Sequence, residues 1–290
     1  MAHKKIGVIG LGSIGIRHAT NLAADGHEVV GYDPDKGLGG QFNAAQSISD
    51  MLRQDLDAFV IASPSNKHAD HLMRVWPTKK PVFVEKPIDI NTELSQRAYR
   101  EVTMVGYNLR FHPCVRKAKE WMADGGIGTP IWGVFFCCQY NDRPAYRRDG
   151  VILNWSHETD LALHIFGPGW DTGSSAALDK DQDVAADILI AHALGARSTV
   201  HVDYLAKVEK RGFIVVGSEG SIEADLPARA IRKTNEDWVY FDGGYDDDYI
   251  AEMRAFVGRI DGKETLGCTG DEALNTLRIC CHVRDRAGLK

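Results

Sequence analysis

The stretch Lys5-Ile6-Gly7-Val8-Ile9-Gly10-Leu11-Gly12-Ser13-Ile14-Gly15 governs how the rest of the chain is read. Lys5 to Ile9 is a short apolar run of the kind a buried strand makes. Glycines at 10, 12 and 15 then punctuate it. Gly10 permits a tight turn, Gly12 lets the backbone approach a pyrophosphate, and Gly15 lets the next helix pack closely on the strand. That helix runs from about Ser13 to Ala24 and is closed by Asp25-Gly26. A second strand, His27 to Tyr32, ends at Asp33, eighteen residues after Gly15. Alone, the glycine pattern is weak; between a strand and a helix, with an acid at this distance, it reads as a dinucleotide site. The backbone of Gly10, Gly12, Ser13 and Ile14, together with the positive helix end, is expected to hold the phosphates. A carboxylate at Asp33 can accept hydrogen bonds from both adenosine ribose hydroxyls and would repel a 2′-phosphate, so NAD is expected over NADP.

Working outward, the strand–helix rhythm continues. Short helices are expected over 49–53, from about Asn66, and over 92–100, with strands at 58–62, 81–84 and 103–107. Such alternation indicates a doubly wound parallel sheet. After about Phe111 the rhythm changes. A helix at 114–123 is followed by long β-like runs at 130–139, 187–193, 197–205 and 211–216, then shorter ones at 221–224, 230–233 and 238–241. One helix, 157–166, interrupts them, and two amphipathic helices, 248–261 and 270–286, close the chain. The expected fold is therefore α/β plus α+β. A Rossmann domain over 1–108 precedes a mostly antiparallel open-sheet domain over 109–290, whose final helix could pack back on the first domain.

Composition is close to the globular average. Hydrophobic residues make up 44% and charged residues 26%, enough apolar material for two cores. A net charge of −6 argues against broad attraction to nucleic acid or an anionic membrane. No apolar run approaches the roughly 20 residues of a membrane helix. The opening MAHKKIGVIG enters a strand directly, so a cytoplasmic protein is expected. The six cysteines include two adjacent pairs in apolar stretches and read as buried thiols, not as a disulfide framework or a zinc site.

Further motifs carry a resemblance. Ala62-Ser63-Pro64-Ser65-Asn66-Lys67-His68 follows one strand and Glu85-Lys86-Pro87 another. Gly106-Tyr107-Asn108-Leu109-Arg110-Phe111-His112-Pro113, Ser156-His157-Glu158-Thr159-Asp160, Tyr249-Ile250-Ala251-Glu252-Met253 and Leu277-Arg278-Ile279-Cys280 come in the same order. Taken together, the chain resembles the glucose–fructose oxidoreductase, inositol dehydrogenase and rhizopine-catabolism (Gfo/Idh/MocA) family over nearly its whole length. The resemblance implies hydride transfer between a nicotinamide and a hydroxyl or carbonyl carbon of a sugar, polyol or sugar acid. It also implies that Ser63, Pro64, Asn66, His68, Glu85 and Lys86 line the cofactor site, with Asn108 and Arg110 at its hinge side. Asn66 could also cap a helix, and Arg110 could instead make a structural ion pair. A homodimer or homotetramer, formed through the open sheet face, is likewise implied.

Two residues are expected to do the chemistry. Lys86 stands at a strand's C-terminal end, where open α/β sheets bind ligands, and its ammonium can donate to a substrate oxygen. The Lys86–Pro87 peptide is cis in relatives. His157 is the expected general base. With Ser156 as N-cap it falls in a helix's first turn, where the positive helix end favours a neutral ring. Asp160 and His164 share its helical face; Asp160 is expected to orient His157 or bind a substrate hydroxyl, His164 to pack, and no metal is expected.

The resemblance has a departure. Many relatives carry an aspartate four or three residues before the histidine, where Leu153 and Asn154 stand here. Asn154 can hydrogen-bond a substrate hydroxyl but cannot accept its proton. The loop around Tyr146 and Arg147 offers arginine and tyrosine side chains to a carboxylate, phosphate or sugar. Two other readings remain open at this point: a redox-neutral lyase or hydrolase that retains NAD, and a non-catalytic dinucleotide-binding regulator.

Overall fold

The computed structural model describes residues 2–35, 37–92, 98–99, 102–141 and 149–289. The chain forms two compact units, Met1–Asn108 with Tyr245–Leu274, and Leu109–Gly244 with Asn275–Lys290.

In the first unit, β1 (Lys5–Ile9), β2 (Glu28–Tyr32), β3 (Ala58–Ile61), β4 (Val82–Glu85) and β5 (Met104–Gly106) pair in parallel in the order β2-β1-β3-β4-β5. The strand order reverses between β1 and β3, the topological switch point at which such sheets bind ligands. The helices are α1 (Ser13–Ala24), α2 (Ile48–Met51) and α3 (His68–Val75). In α1 the buried positions Gly15, His18, Ala19 and Leu22 recur at helical spacing and form one face. The helix expected over 92–100 lies mostly outside the described residues.

The compact units do not follow a single cut at 108. Residues 245–274 group with the first unit. They carry α7 (Asp247–Ile260), whose buried Met253, Phe256 and Val257 join Ile6, Val8, Phe83 and Met104 in the first unit's core. Burying each of these three side chains contributes roughly 1.5–3 kcal/mol, which no solvated linker could offset. The final helix, α8 (Gly270–Arg286), passes from one unit's residues to the other's.

The second unit begins with α4 (Pro113–Ala123). Its sheet runs β14-β13-β12-β11-β6-β10-β9-β7, with β8 also on β9. These strands are β6 (Pro130–Cys138), β7 (Gly169–Asp171), β8 (Ser175–Asp179), β9 (Gln182–His192), β10 (Arg197–Asp203), β11 (Lys210–Gly217), β12 (Ser221–Asp225), β13 (Ala230–Lys233) and β14 (Val239–Tyr240). All pairs are antiparallel except β6 with β10. Alternation along the strands separates two faces. Phe135, Cys137, Val200, Val202, Phe213 and Val215 are buried, whereas Trp132, Val134, Phe136 and Ile214 are exposed or half-buried. Two helices, α5 (Gly150–Asn154) and α6 (Ser156–Phe166), pack on the sheet. Among the described residues no helix is long and apolar enough to cross a membrane.

Candidate active site

The glycine turn divides its three glycines by physical need. Gly10 has φ +90°, and a Cβ there would lie 2.6 Å from the Ser63 backbone, so the loops after β1 and β3 touch. A Cβ on Gly15 would meet the Gly10 carbonyl oxygen at 1.9 Å. Gly12 differs: a Cβ would meet nothing within 4 Å, and its φ of −65° suits any residue. The chain's own packing therefore does not require glycine at 12, and the bare backbone leaves room for a ligand's phosphates. Gly12 is also the N-cap of α1, and among the described residues no side chain caps that end. The first-turn N–H groups of Ser13 and Ile14 are thus placed for an anion.

Asp33 is almost buried at the end of β2. One carboxylate oxygen accepts from the Leu11 N–H at 2.8 Å and the other from the Asp35 N–H at 2.9 Å. Each oxygen retains further acceptor capacity. The same residue thus steadies the glycine turn and presents a negative group beside it. The residues fit a dinucleotide at this turn.

The loop after β3 is held internally. His68, 1% exposed, has Nδ1 2.8 Å from the Pro87 carbonyl oxygen and Nε2 2.8 Å from the Ser63 carbonyl oxygen. A neutral ring can donate to only one of these. Burial lowers its pKa below the usual histidine value, and the two carbonyls oppose that shift. The ring sits between the Ser63 and Pro87 carbonyls and so lies against both loops. The Ser63 hydroxyl meets His71 Nδ1 at 2.9 Å, while Pro64 and Asn66 are exposed. Asn66 lies within the 3-10 turn Ser65–Lys67.

At the end of β4, Glu85 is buried and Lys86 half-buried, and the Lys86–Pro87 peptide is cis. Glu85 Oε2 accepts from the Lys86 N–H at 3.1 Å, and Glu85 Oε1 lies 2.6 Å from His18 Nε2. Neither His18 nor Glu252, whose carboxylate lies within the same cluster, is legible as a site residue in the sequence. Both occupy inward positions of amphipathic helices, where the periodicity signals packing alone.

In the second unit, His157 occupies the first turn of α6 and is buried. Its placement differs in detail from the expectation. Trp155, not Ser156, is the N-cap, and its N–H donates to the carbonyl oxygen of Val151 in the first turn of α5, which ends at Asn154. Because α5 ends where α6 starts, its carbonyl end offsets part of the positive field at His157. Asn154 is the last residue of α5 and half-buried, while Leu153 is fully buried. A carboxylate at 153 would point into the core. Among the described residues, α5 is anchored by Asp183, whose Oδ2 accepts from the Ile152 N–H at 2.7 Å and whose pKa burial raises.

Arg110 and Asp160 meet each other. The guanidinium donates at 2.9 Å from Nε to Oδ2 and at 2.7 Å from Nη2 to Oδ1, with side chains 2% and 1% exposed. This bidentate pair gives Arg110 a structural partner and occupies one side of each Asp160 carboxylate oxygen. His164 packs nearby; burial, then the charges of Arg110 and Lys119, push its pKa down to about 2. Asn108 is buried at the end of the first unit. Tyr146 and Arg147 lie outside the described residues.

Comparison with known proteins gives the following. Residues 4–107 match the family model described as "Oxidoreductase family, NAD-binding Rossmann fold", and residues 115–223 match the "GFO/IDH/MocA C-terminal domain". Myo-inositol 2-dehydrogenase of Thermotoga maritima is 27% identical over an alignment of 320 positions including gaps, covering 95% of this chain and 93% of that protein. Inositol 2-dehydrogenase of Rhizobium meliloti is 25% identical over 311, covering 95% and 94%. A solved levoglucosan dehydrogenase in complex with NADH shares the fold with TM-score 0.89 at 19% identity, covering 99% of this chain and 97% of that one.

Proposed function

Because the chain belongs to the Gfo/Idh/MocA oxidoreductase family, we propose that it is an NAD-dependent dehydrogenase acting on the CH–OH group of an inositol, sugar or sugar acid. The observation that carries this reading is Gly12. It is a glycine that the protein's own packing does not need, at the head of α1, beside a nearly buried Asp33. The inositol dehydrogenases aligned along most of the chain support the substrate class.

In this reading the first turn of α1 binds the pyrophosphate and Asp33 binds the adenosine ribose. When bound, NAD supplies the hydride acceptor. Lys86 donates a hydrogen bond to the substrate oxygen and stabilises charge that develops there. His157 accepts the hydroxyl proton as general base. Asn154 hydrogen-bonds a neighbouring hydroxyl, a task that needs no carboxylate. Arg110 and Asp160 hold α6 to the segment after β5 and so fix the base in place. The partly exposed apolar row Trp132, Val134, Phe136 and Ile214 serves self-association, and sedimentation showing only monomer would remove that part.

The test is NADH formation at 340 nm with a panel of inositols, sugars, polyols and sugar acids. The expected result is turnover with at least one member, reduced at least a hundredfold by Lys86→Ala and by His157→Ala. Wild-type turnover in both variants would refute the assignment.

A further inference from the structure

Three buried side chains from distant parts of the first unit converge at the end of β4. His18 comes from α1, Glu85 from the end of β4 and Glu252 from α7, and their ligating atoms lie within 4.8 Å of one another. The imidazole is 0% exposed and held in plane by its neighbours. Its ring meets Phe83 edge-on at 5.2 Å and Tyr249 at 6.1 Å. That orientation aims Nε2 at Glu85 Oε1, 2.6 Å away. The other Glu85 oxygen accepts from the Lys86 N–H. A Cβ at Gly106 would come 2.8 Å from the carboxylate, so the group fills its space fully.

Such a cluster could in principle hold a cation or a proton. Ligand atoms about 2.0–2.1 Å from one tetrahedral zinc stand more than about 3 Å apart. The 2.6 Å separation here is a hydrogen-bond distance instead. The buried Glu252 carboxylate, within 4.8 Å of the same atoms, sets a second acidic group beside Glu85.

We propose that His18 and Glu252 are positioning residues for Lys86, acting through the Glu85 carboxylate, with a proton and not a metal ion joining His18 to Glu85. The inference rests on the reading of Lys86 as an active-site residue. His18 fixes one carboxylate oxygen, the other fixes the Lys86 backbone, and His68 fixes the next carbonyl at Pro87. The lysine therefore leaves a backbone anchored on both sides.

The experiment uses the full chain with His18→Phe, His18→Gln and Glu252→Gln. Labelling of Lys86 by acetic anhydride, measured against exposed Lys180 by peptide mass spectrometry, reports the amine's surroundings without a substrate. Turnover is measured with myo-inositol and NAD. In folded H18F, the Lys86 labelling ratio should change at least threefold and kcat should fall at least tenfold, with the KM for NAD within threefold. H18Q should restore both to within threefold, because the glutamine amide nitrogen reaches where Nε2 stood. E252Q should shift labelling in the same direction as H18F, and dialysis against EDTA should change nothing in the wild type. Wild-type labelling in folded H18F, or an EDTA-induced loss reversed by zinc, would overturn the proposal. If H18F does not fold, unchanged labelling in E252Q overturns it. Undiminished turnover in Lys86→Ala would instead refute the catalytic reading, and labelling would still decide the positioning.

Discussion

The Arg110–Asp160 pair yields the sharpest energetic expectation. Both side chains are essentially excluded from solvent and joined by two hydrogen bonds of 2.7 and 2.9 Å. Unit charges about 4 Å apart attract by roughly 4 kcal/mol at an effective permittivity of about 20. Removing one partner loses that attraction and strands the other charge without water, so Asp160→Leu and Arg110→Met should each cost about 3–5 kcal/mol. For a domain of this size that lowers the melting temperature by roughly 10 °C. The double variant strands no charge and fills the site with apolar atoms, so it should recover to within about 2 kcal/mol of wild type. Urea unfolding of the four proteins gives the coupling energy directly. The same set tests the role of Asp160. If the carboxylate serves stability alone, the recovered double variant keeps its KM for substrate. Singles that cost less than about 1 kcal/mol would refute the energetic argument, and a stable double variant with KM raised tenfold would return Asp160 to ligand binding.

Three further expectations follow from other parts of the chain. Asp33→Ser removes the repulsion toward a 2′-phosphate and the acceptor for the Leu11 N–H, so NAD affinity should fall at least tenfold while preference moves toward NADP, measured by fluorescence titration of the reduced cofactors. Gly12→Ala should leave thermal stability unchanged but weaken NADH binding at least tenfold, whereas Gly15→Ala should destabilise the fold itself, because its Cβ would collide with the Gly10 carbonyl. His112 is buried, and burial, then the charge of Arg229, pushes its pKa down to about 4. The folded state thus resists its protonation while the unfolded chain takes a proton near pH 6.5, so the stabilisation present above pH 6.5 is lost as pH falls toward 4, by about 3 kcal/mol in total. His112→Gln should flatten that part of the stability profile in urea unfolding at stepped pH.

Much of the first unit was readable because its signals are local. Lys5–Ile9 is an apolar run closed by glycine, and α1 carries its buried positions at regular spacing, so both elements were located from pattern alone. What escaped depends on distant partners. Strand β8 has mostly exposed residues and no alternation to reveal it, being defined by its pairing with β9. Helix α5 is only five residues long, and it exists where it does because Asp183 receives the Ile152 N–H. That short helix in turn displaced the N-cap from Ser156 to Trp155. Lys86 and His157 stood out through motif context, whereas the use of Asp160 by Arg110, fifty residues earlier, had no local signature.

The end of β4 shows why such contacts matter more than their number suggests. Phe83 and Val84 are fully buried and apolar, yet the next three residues form a polar island: the Glu85 carboxylate, the Lys86 N–H and the Pro87 carbonyl. Each such group left unsatisfied away from water costs about 1–3 kcal/mol. Two buried histidines answer two of these demands, one from α1 and one from α3, and the Glu85 carboxylate answers the third. An apolar strand end would give the sheet similar stability by packing alone, but it would leave several backbone paths open beyond Val84. The hydrogen-bonded version leaves one. Hydrogen bonds of this kind add little net stability compared with the alternatives they exclude, so their value here lies in fixing where the lysine emerges.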